Sequence, residues 1–305
     1  MDRRTFLKGL ALSAGLLSCG LEELVKEKKP AWHNPNKLLL IGIDGVRPDV
    51  LIKATTPNLD RLINTGAYSF KAQAGLHTLS GSCWSNILTG VWDNKHGVID
   101  NTFKGANYEK YPDFFTLIKQ VQPKLNAVSV VSWKPLCNQI VAGANSCDYY
   151  PYTGQVDEGD YLVAQQAAKI LAKGNPDILF TYFAGMDYAG HNYGFHPDVP
   201  EYFNKMELID GLVGTMLNAL VNRPTYEKEN WLILAITDHG GIGNSHGGQT
   251  PEEKTIFYIA NGKSAIPGEI IPAPTHVDIV PTALYHLNIP VNPIWGLDGK
   301  VAGIR

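Results

Sequence analysis

LLLIGIDGVRPD, residues 38–49, opens with six consecutive apolar or glycine positions and stops abruptly at Asp44-Gly45. A short, nearly unbroken apolar run is what a strand covered on both faces requires, and such strands belong to parallel sheets. The same signature recurs at NAVSVVSW (126–133), PDILFTYF (176–183), WLILAITD (231–238) and TIFYIAN (255–261). Between these runs lie helical patterns: TPNLDRLINTG, DFFTLIKQV, YLVAQQAAKILAKG, EYFNKMELIDGLVGTMLNALVNR and, from Asp278, DIVPTALYHL. Alternation of this kind predicts an α/β fold with a mainly parallel central sheet covered by helices on both faces. In such sheets, sites form just beyond the carboxyl ends of the strands. Asp44 closes the first run, Asp187 follows the third, and Asp238-His239 closes the fourth.

The bulk composition narrows the function classes. An apolar share of 44% and a charged share of 18% are ordinary for a globular chain. The 30 Gly and 19 Pro follow no period, which excludes a collagen-like array. No apolar run reaches the ~18–20 residues of a membrane span. A net charge of −3 without a basic block argues against nucleic-acid binding by bulk electrostatics, so an anionic substrate must be held by local positive charge. Residues 1–18 read as an export signal: Arg3-Arg4 ahead of Thr5-Phe6-Leu7-Lys8 resembles a twin-arginine motif, and Leu16-Leu17-Ser18-Cys19 resembles a lipobox. The alternative is an amphipathic helix with a chance Arg pair. On the export reading, Cys19 carries a lipid anchor and the protein sits in the cell envelope, periplasmic or at the surface. Residues 19–36 form a solvated tether, and residues 37–305 form one domain without a composition shift. Cys137 and Cys147 are placed to pair in an oxidising compartment; two buried thiols are the alternative.

Each candidate ligand has a bland explanation when taken alone. Asp44 suits the turn before Gly45, and Asp238-His239 in AITDHGG suits a surface turn. Asp187 and His191 in GMDYAGHNYGF are four apart, which lets both reach one ion from a helical turn or from a tight loop. His246 lies in the Gly-rich NSHGGQTPEE. Together they are three carboxylates and three imidazoles at or just beyond strand ends. That mixed set suits Zn²⁺, whereas all-oxygen cages suit Mg²⁺ or Ca²⁺. The remaining histidines are set aside: His276 and His286 as packing residues, His33 in the tether, His96 and His196 as weaker candidates, and His77 as a possible cleft-lining residue.

HTLSGSCWSNILTG (77–90) is a Ser-Gly turn leading into a short helical segment. Ser80 then sits at a helix N-terminus, where free N–H groups and the macrodipole favour an alkoxide and an anionic substrate; an ordinary N-cap serine is the alternative. These residues resemble the alkaline phosphatase superfamily, in particular its type I phosphodiesterase/nucleotide pyrophosphatase branch. The resemblance is carried by IGIDGVRPD, SGSCWSNILTGVWDNKHGVIDN, MDYAGHNYG, TDHGG and the later HGG, in that order, and covers nearly all of the chain after residue 36. It implies an alkaline phosphatase-like fold with two Zn²⁺ per chain. One zinc would be held by Asp187, His191 and His246, the other by Asp44, Asp238, His239 and Ser80. Asn101 would fall where the branch places a donor to a phosphoryl oxygen.

The implied function is two-zinc hydrolysis of small-molecule phosphate esters, nucleotides included, through a phosphoseryl intermediate on Ser80. The bonds expected are phosphodiester or pyrophosphate. The branch commonly has Thr followed by Phe-Pro-Asn where this chain has Ser80-Gly81-Ser82-Cys83, so the pocket beside the nucleophile must differ. The chain is also short for the branch, so some substrate-recognition insertions are expected to be missing. Rival readings are a phosphomonoesterase, a sulfatase and a non-catalytic envelope binding protein. Ser80–Trp84 lacks the Pro and Arg of a sulfatase C/S-x-P-x-R signature. Lys95, Lys104 and Lys134 read as surface residues, and Trp84 with Trp133 as an aromatic rim, which favours diesters over monoesters.

Overall fold

The structure, a computed structural model, describes residues 35–151 and 158–305. The export-signal and lipid-anchor readings, with Cys19 and His33, lie outside the described residues. Eight strands are found among those described: β1 (Asn36–Ile43), β2 (Ala67–Gln73), β3 (Ala127–Val131), β4 (Ser146–Tyr149), β5 (Ile178–Phe183), β6 (Asn230–Ile236), β7 (Thr255–Gly262) and β8 (Gly268–Glu269). The α-helices are α1 (Pro48–Lys53), α2 (Pro57–Thr65), α3 (Ser80–Thr89), α4 (Asp93–His96), α5 (Phe114–Val121), α6 (Glu158–Lys173), α7 (Gly185–Tyr193), α8 (Pro200–Val221), α9 (Pro251–Lys254) and α10 (Ile279–His286).

The strands form one sheet in the order β4-β3-β5-β1-β6-β7-β2-β8. β4, β3, β5, β1 and β6 are mutually parallel, and β7 alone runs against its neighbours β6 and β2. The sheet is therefore mixed but mainly parallel. Every residue of β1 from Lys37 to Ile43 is buried, and alternate side chains enter opposite layers. Leu38 and Leu40 join Trp84, Phe114, Phe115 and Leu284, from α3, α5 and α10. Leu39, Ile41 and Ile43 join Val163, Leu171, Met206 and Val213, from α6 and α8. Each such buried aliphatic side chain contributes roughly 1.5–3 kcal/mol. The helices start where local chemistry permits: Asp113 caps α5 by accepting from the N–H groups of Phe115 and Thr116, Thr250 and Glu253 form a capping box on α9, and Pro200 opens α8.

Three strands are absent from the apolar runs of the sequence. β4 (SCDY) and β8 (GE) are short edge strands with exposed residues, and β2 alternates buried and partly exposed positions. None presents a continuous apolar stretch, the signal of a centrally buried strand. The register pairs Gly42 of β1 with Tyr182 of β5 and Ile236 of β6. The carboxyl ends of the three central strands thus finish side by side.

Candidate active site and metal centre

The segments leaving those three strands supply most of the site. Asp44 directly follows β1, and its N–H donates to the Phe183 carbonyl at the end of β5 (2.9 Å). Gly45 then turns with φ +70°, a left-handed conformation suited to glycine. A Cβ there would meet the Cα of Asp187 at 2.7 Å, so glycine also permits β1 and α7 to approach. The Gly45 N–H donates to Asp238 Oδ1 (3.1 Å). α7 carries Asp187 in its first turn and His191 one turn later, which settles the helix-or-loop alternative in favour of a helix. Its start is fixed by buried Asp160, which accepts from the N–H groups of Ala184 and Gly185 and from Ser132 Oγ. Asp238 and His239 follow β6, and the glycine-rich loop after them brings back His246.

Two sets of donor atoms converge. In the first, Asp187 Oδ1 lies 3.5 Å from His191 Nε2 and 3.3 Å from His246 Nε2, and the two Nε2 atoms are 3.0 Å apart. In the second, His239 Nε2 lies 3.2 Å from Asp238 Oδ2, 3.5 Å from Asp44 Oδ1 and 3.4 Å from Ser80 Oγ. The His239 and His246 rings stack at 3.7 Å, so the sets adjoin. Asp44 Oδ1, Asp187 Oδ1 and Asp238 Oδ2 are buried without a hydrogen-bond donor among the described residues. Each imidazole meanwhile has its Nδ1 beside a backbone carbonyl: His239 with Gly240 (2.8 Å), His246 with Thr78 (2.6 Å) and His191 with Asn244 (2.9 Å). Donation from Nδ1 places the lone pair on Nε2, the nitrogen that faces the carboxylates.

The electrostatics carry the same message. Burial and the neighbouring Asp187 charge push Asp44 up to about 7, although Tyr182 and Trp84 donate to its other oxygen. Burial, Asp44 and Asp187 raise Asp238 well above the usual carboxylate range. Burial and His246 hold His239 well below the ordinary imidazole value. Burial opposes the charge of Asp187, but the surrounding imidazoles outweigh it and hold its carboxyl low. Three carboxylates this close resist full ionisation unless positive charge is added beside them.

Ser80 is the first residue of α3, is 6% exposed, and stands at the helix end where free N–H groups point outward. Asn101 Oδ1 accepts from the Gly81 N–H (2.7 Å), which leaves its Nδ2 available to a ligand. Ser80 and Asn101 share a cleft with Trp133, Tyr149, Tyr188 and His191, and no Lys or Arg is among the described residues lining it. Lys95 is engaged by Asp298 and the Gly296 carbonyl, and Lys104 and Lys134 are exposed.

Trp84 departs from its expected place on the rim. It is fully buried under the site, its Nε1 donates to Asp44 Oδ2 (2.9 Å), and the missing side chain of Gly42 leaves room for its ring. Tyr182 donates to the same oxygen at 2.5 Å. Neither role was evident in the sequence, although a tyrosine near the end of a buried strand does require a partner for its hydroxyl. His77 contacts Asp93 (2.5 Å) and does not line the cleft. His96 is buried against Asn86, and burial pushes it down to about 4. His286 is buried beside the Lys37 and Asn230 carbonyls, and His276 is fully buried. Cys137 and Cys147 form a disulfide, with Cα atoms 5.6 Å apart.

A family model described as type I phosphodiesterase/nucleotide pyrophosphatase matches residues 38–252. The chain is 24% identical over 227 residues to human ectonucleotide pyrophosphatase/phosphodiesterase family member 7, covering 67% of this chain and 48% of that protein. It is 25% identical over 222 residues to bovine bis(5'-adenosyl)-triphosphatase ENPP4, covering 68% and 48%. The chain thus spans about half the length of the curated relatives it matches. Among solved structures, murine ectonucleotide pyrophosphatase/phosphodiesterase 5, an inactive form in complex with AMP, superposes with a TM-score of 0.67 at 15% identity, covering 85% of this chain and 96% of that one. A 2-O GAG sulfatase gives 0.69 at 15% identity, covering 87% and 73%. At these identities the structural likeness establishes the shared alkaline phosphatase-like fold.

Proposed function

The chain belongs to the type I phosphodiesterase/nucleotide pyrophosphatase family, and on that premise we propose that it is a zinc-dependent hydrolase of phosphodiester or pyrophosphate bonds with Ser80 as nucleophile. The observation that carries this reading is the set of three buried, donorless carboxylate oxygens facing three anchored imidazole Nε2 atoms beside Ser80. A tetrahedral zinc with bonds of ~2.0–2.1 Å separates its ligand atoms by about 3.3 Å. The separations within the first set, and those from His239 Nε2 to its three neighbours in the second, run from 3.0 to 3.5 Å, which supports the fit. Asp187, His191 and His246 would hold one ion, and Asp44, Asp238, His239 and Ser80 the other. Bound there, zinc supplies positive charge that acidifies the Ser80 hydroxyl and offsets charge on the phosphoryl oxygens.

The protein groups account for the rest. Ser80 Oγ attacks phosphorus in line, the bond to the leaving oxygen breaks, and water then hydrolyses the phosphoseryl ester. The N-terminal end of α3 favours the serine alkoxide, and the Asn101 amide donates to a non-bridging oxygen. A monoester dianion calls for additional cations around the phosphoryl group, and the described residues lining the cleft supply none. Trp133, Tyr149 and Tyr188 instead offer apolar surface to the second ester group of a diester or to a nucleotide base. The AMP bound to the murine relative supports a nucleotide as one such ligand. Export to the cell envelope, with membrane attachment through a lipid anchor on Cys19, accords with the Cys137–Cys147 disulfide, which persists in oxidising compartments. The test of the hydrolase reading is Ser80→Ala assayed on an aryl phosphodiester with bound metal measured in parallel. Loss of turnover at unchanged metal content is expected; near-normal turnover would remove Ser80 from its role.

A further inference from the structure

β4 is the weakest part of the sheet beside the cleft. It has four residues, lies at the edge, pairs only with β3 among the described residues, and leaves Ser146 and Tyr149 exposed. Short edge strands with one neighbour open most readily. Yet β4 ends in Tyr149, paired with Val131, and Trp133 follows two residues beyond Val131. Trp133 and Tyr149 therefore leave adjacent parallel strands at the same end, and both line the cleft. Trp133 is braced by Tyr182 (ring centroids 6.2 Å apart) and Phe103 (6.1 Å). The connection between them, residues 134–145, makes one helical turn at Leu136–Ile140, and Cys137 in that turn is bonded to Cys147 in β4.

We propose that the Cys137–Cys147 crosslink is a specificity-determining element that holds β4 in register so that Trp133 and Tyr149 form one wall for a planar aromatic ester group. The crosslink acts through position and touches no reacting atom. The identity of the ligand rests on the hydrolase reading above. Displacing one ring of the wall weakens its stacking on the ester group, an interaction worth about two- to tenfold in affinity.

The test uses two substrates with one leaving group, phenyl p-nitrophenyl phosphate and methyl p-nitrophenyl phosphate, on zinc-loaded protein. In the Cys137→Ser/Cys147→Ser variant, KM for the phenyl ester should rise about two- to tenfold, while kcat, the methyl ester's kinetics and the zinc content stay at wild-type values. A phosphine-reduced wild-type protein should show the same split, which guards against a folding defect in the variant. Equal losses on both esters, or none, would overturn the proposal. Calorimetric binding of diphenyl phosphate separates the two readings. A wild-type protein that cleaves neither ester refutes the hydrolase, yet weaker binding by the variant still supports the wall. Identical binding by both forms, or none by the wild type, refutes the wall.

Discussion

Tyr182→Phe isolates one hydrogen bond behind a carboxylate proposed to face the metal. Asp44 Oδ2 accepts from Tyr182 Oη at 2.5 Å and from Trp84 Nε1 at 2.9 Å, while Oδ1 has no donor among the described residues and is the oxygen proposed to face the ion. Burial and the Asp44 charge raise the Tyr182 phenol well above its ordinary range, so it remains a donor throughout the assay range. The phenylalanine keeps the ring packed on Trp84 (5.1 Å) and Trp133 (6.2 Å), so little but the hydroxyl is lost. A hydrogen bond to a charged acceptor contributes about 1.5–3 kcal/mol. If the bond favours ionised Asp44, zinc affinity at the second set should fall roughly 10–150-fold, which overlaps the roughly 10–100-fold loss found when outer-shell partners of metal ligands are removed. Competition between the stripped protein and a chromogenic chelator measures this, with thermal melting as a control for folding. Affinity within about threefold of wild type would refute the idea that Tyr182 tunes Asp44.

Ser82→Ala, two residues from the proposed nucleophile Ser80, should leave turnover near wild type; a loss as large as that from Ser80→Ala would point to the wrong serine. Gly45→Ala places a Cβ 2.7 Å from the Asp187 Cα at φ +70°, and should cost ~1–2 kcal/mol or more and weaken zinc binding, both read by melting and chelator competition. Asp44→Asn tests the raised carboxyl in metal-free protein. Because Asp44 titrates near 7 in the folded state and near 3.8 when unfolded, its favourable contribution is complete below 3.8 and lost as pH rises to about 7. The metal-free variant should therefore gain on wild type across that window, by about 2–4 kcal/mol at the top, and a pH-independent difference in denaturant melts would contradict this. An aryl phosphodiester should show a higher kcat/KM than the matching monoester; a monoester preference above about tenfold, worth ~1.4 kcal/mol, would reverse the assignment, with Lys104→Ala and Lys134→Ala the next variants.

Asp44, Asp238 and His239 were legible because a buried strand announces its own end, and polar residues at the ends of adjacent parallel strands must meet. Asp187 and His191 were legible as a pair through their spacing, although spacing alone did not distinguish a helical turn from a loop. Trp84 was misplaced because proximity to Ser80 in sequence suggested proximity to substrate, whereas every residue of α3 is buried and its indole points under Asp44. The carbonyls of Gly240, Thr78 and Asn244 that orient the imidazoles left no trace, since any residue type supplies a backbone oxygen. Tyr149 was missed for a related reason. It ends a four-residue edge strand whose sequence, SCDY, carries neither an apolar run nor a period.

The most direct test is to strip the chain of metal and titrate zinc back while following hydrolysis of an aryl phosphodiester. If each of the two donor sets holds one ion, activity should be absent at the start and reach a plateau near two zinc ions per chain. Calcium or magnesium should restore little, because imidazole nitrogen suits neither. Full turnover in stripped protein, or none at saturating zinc, would contradict the assignment of this site as a zinc-dependent phosphodiesterase.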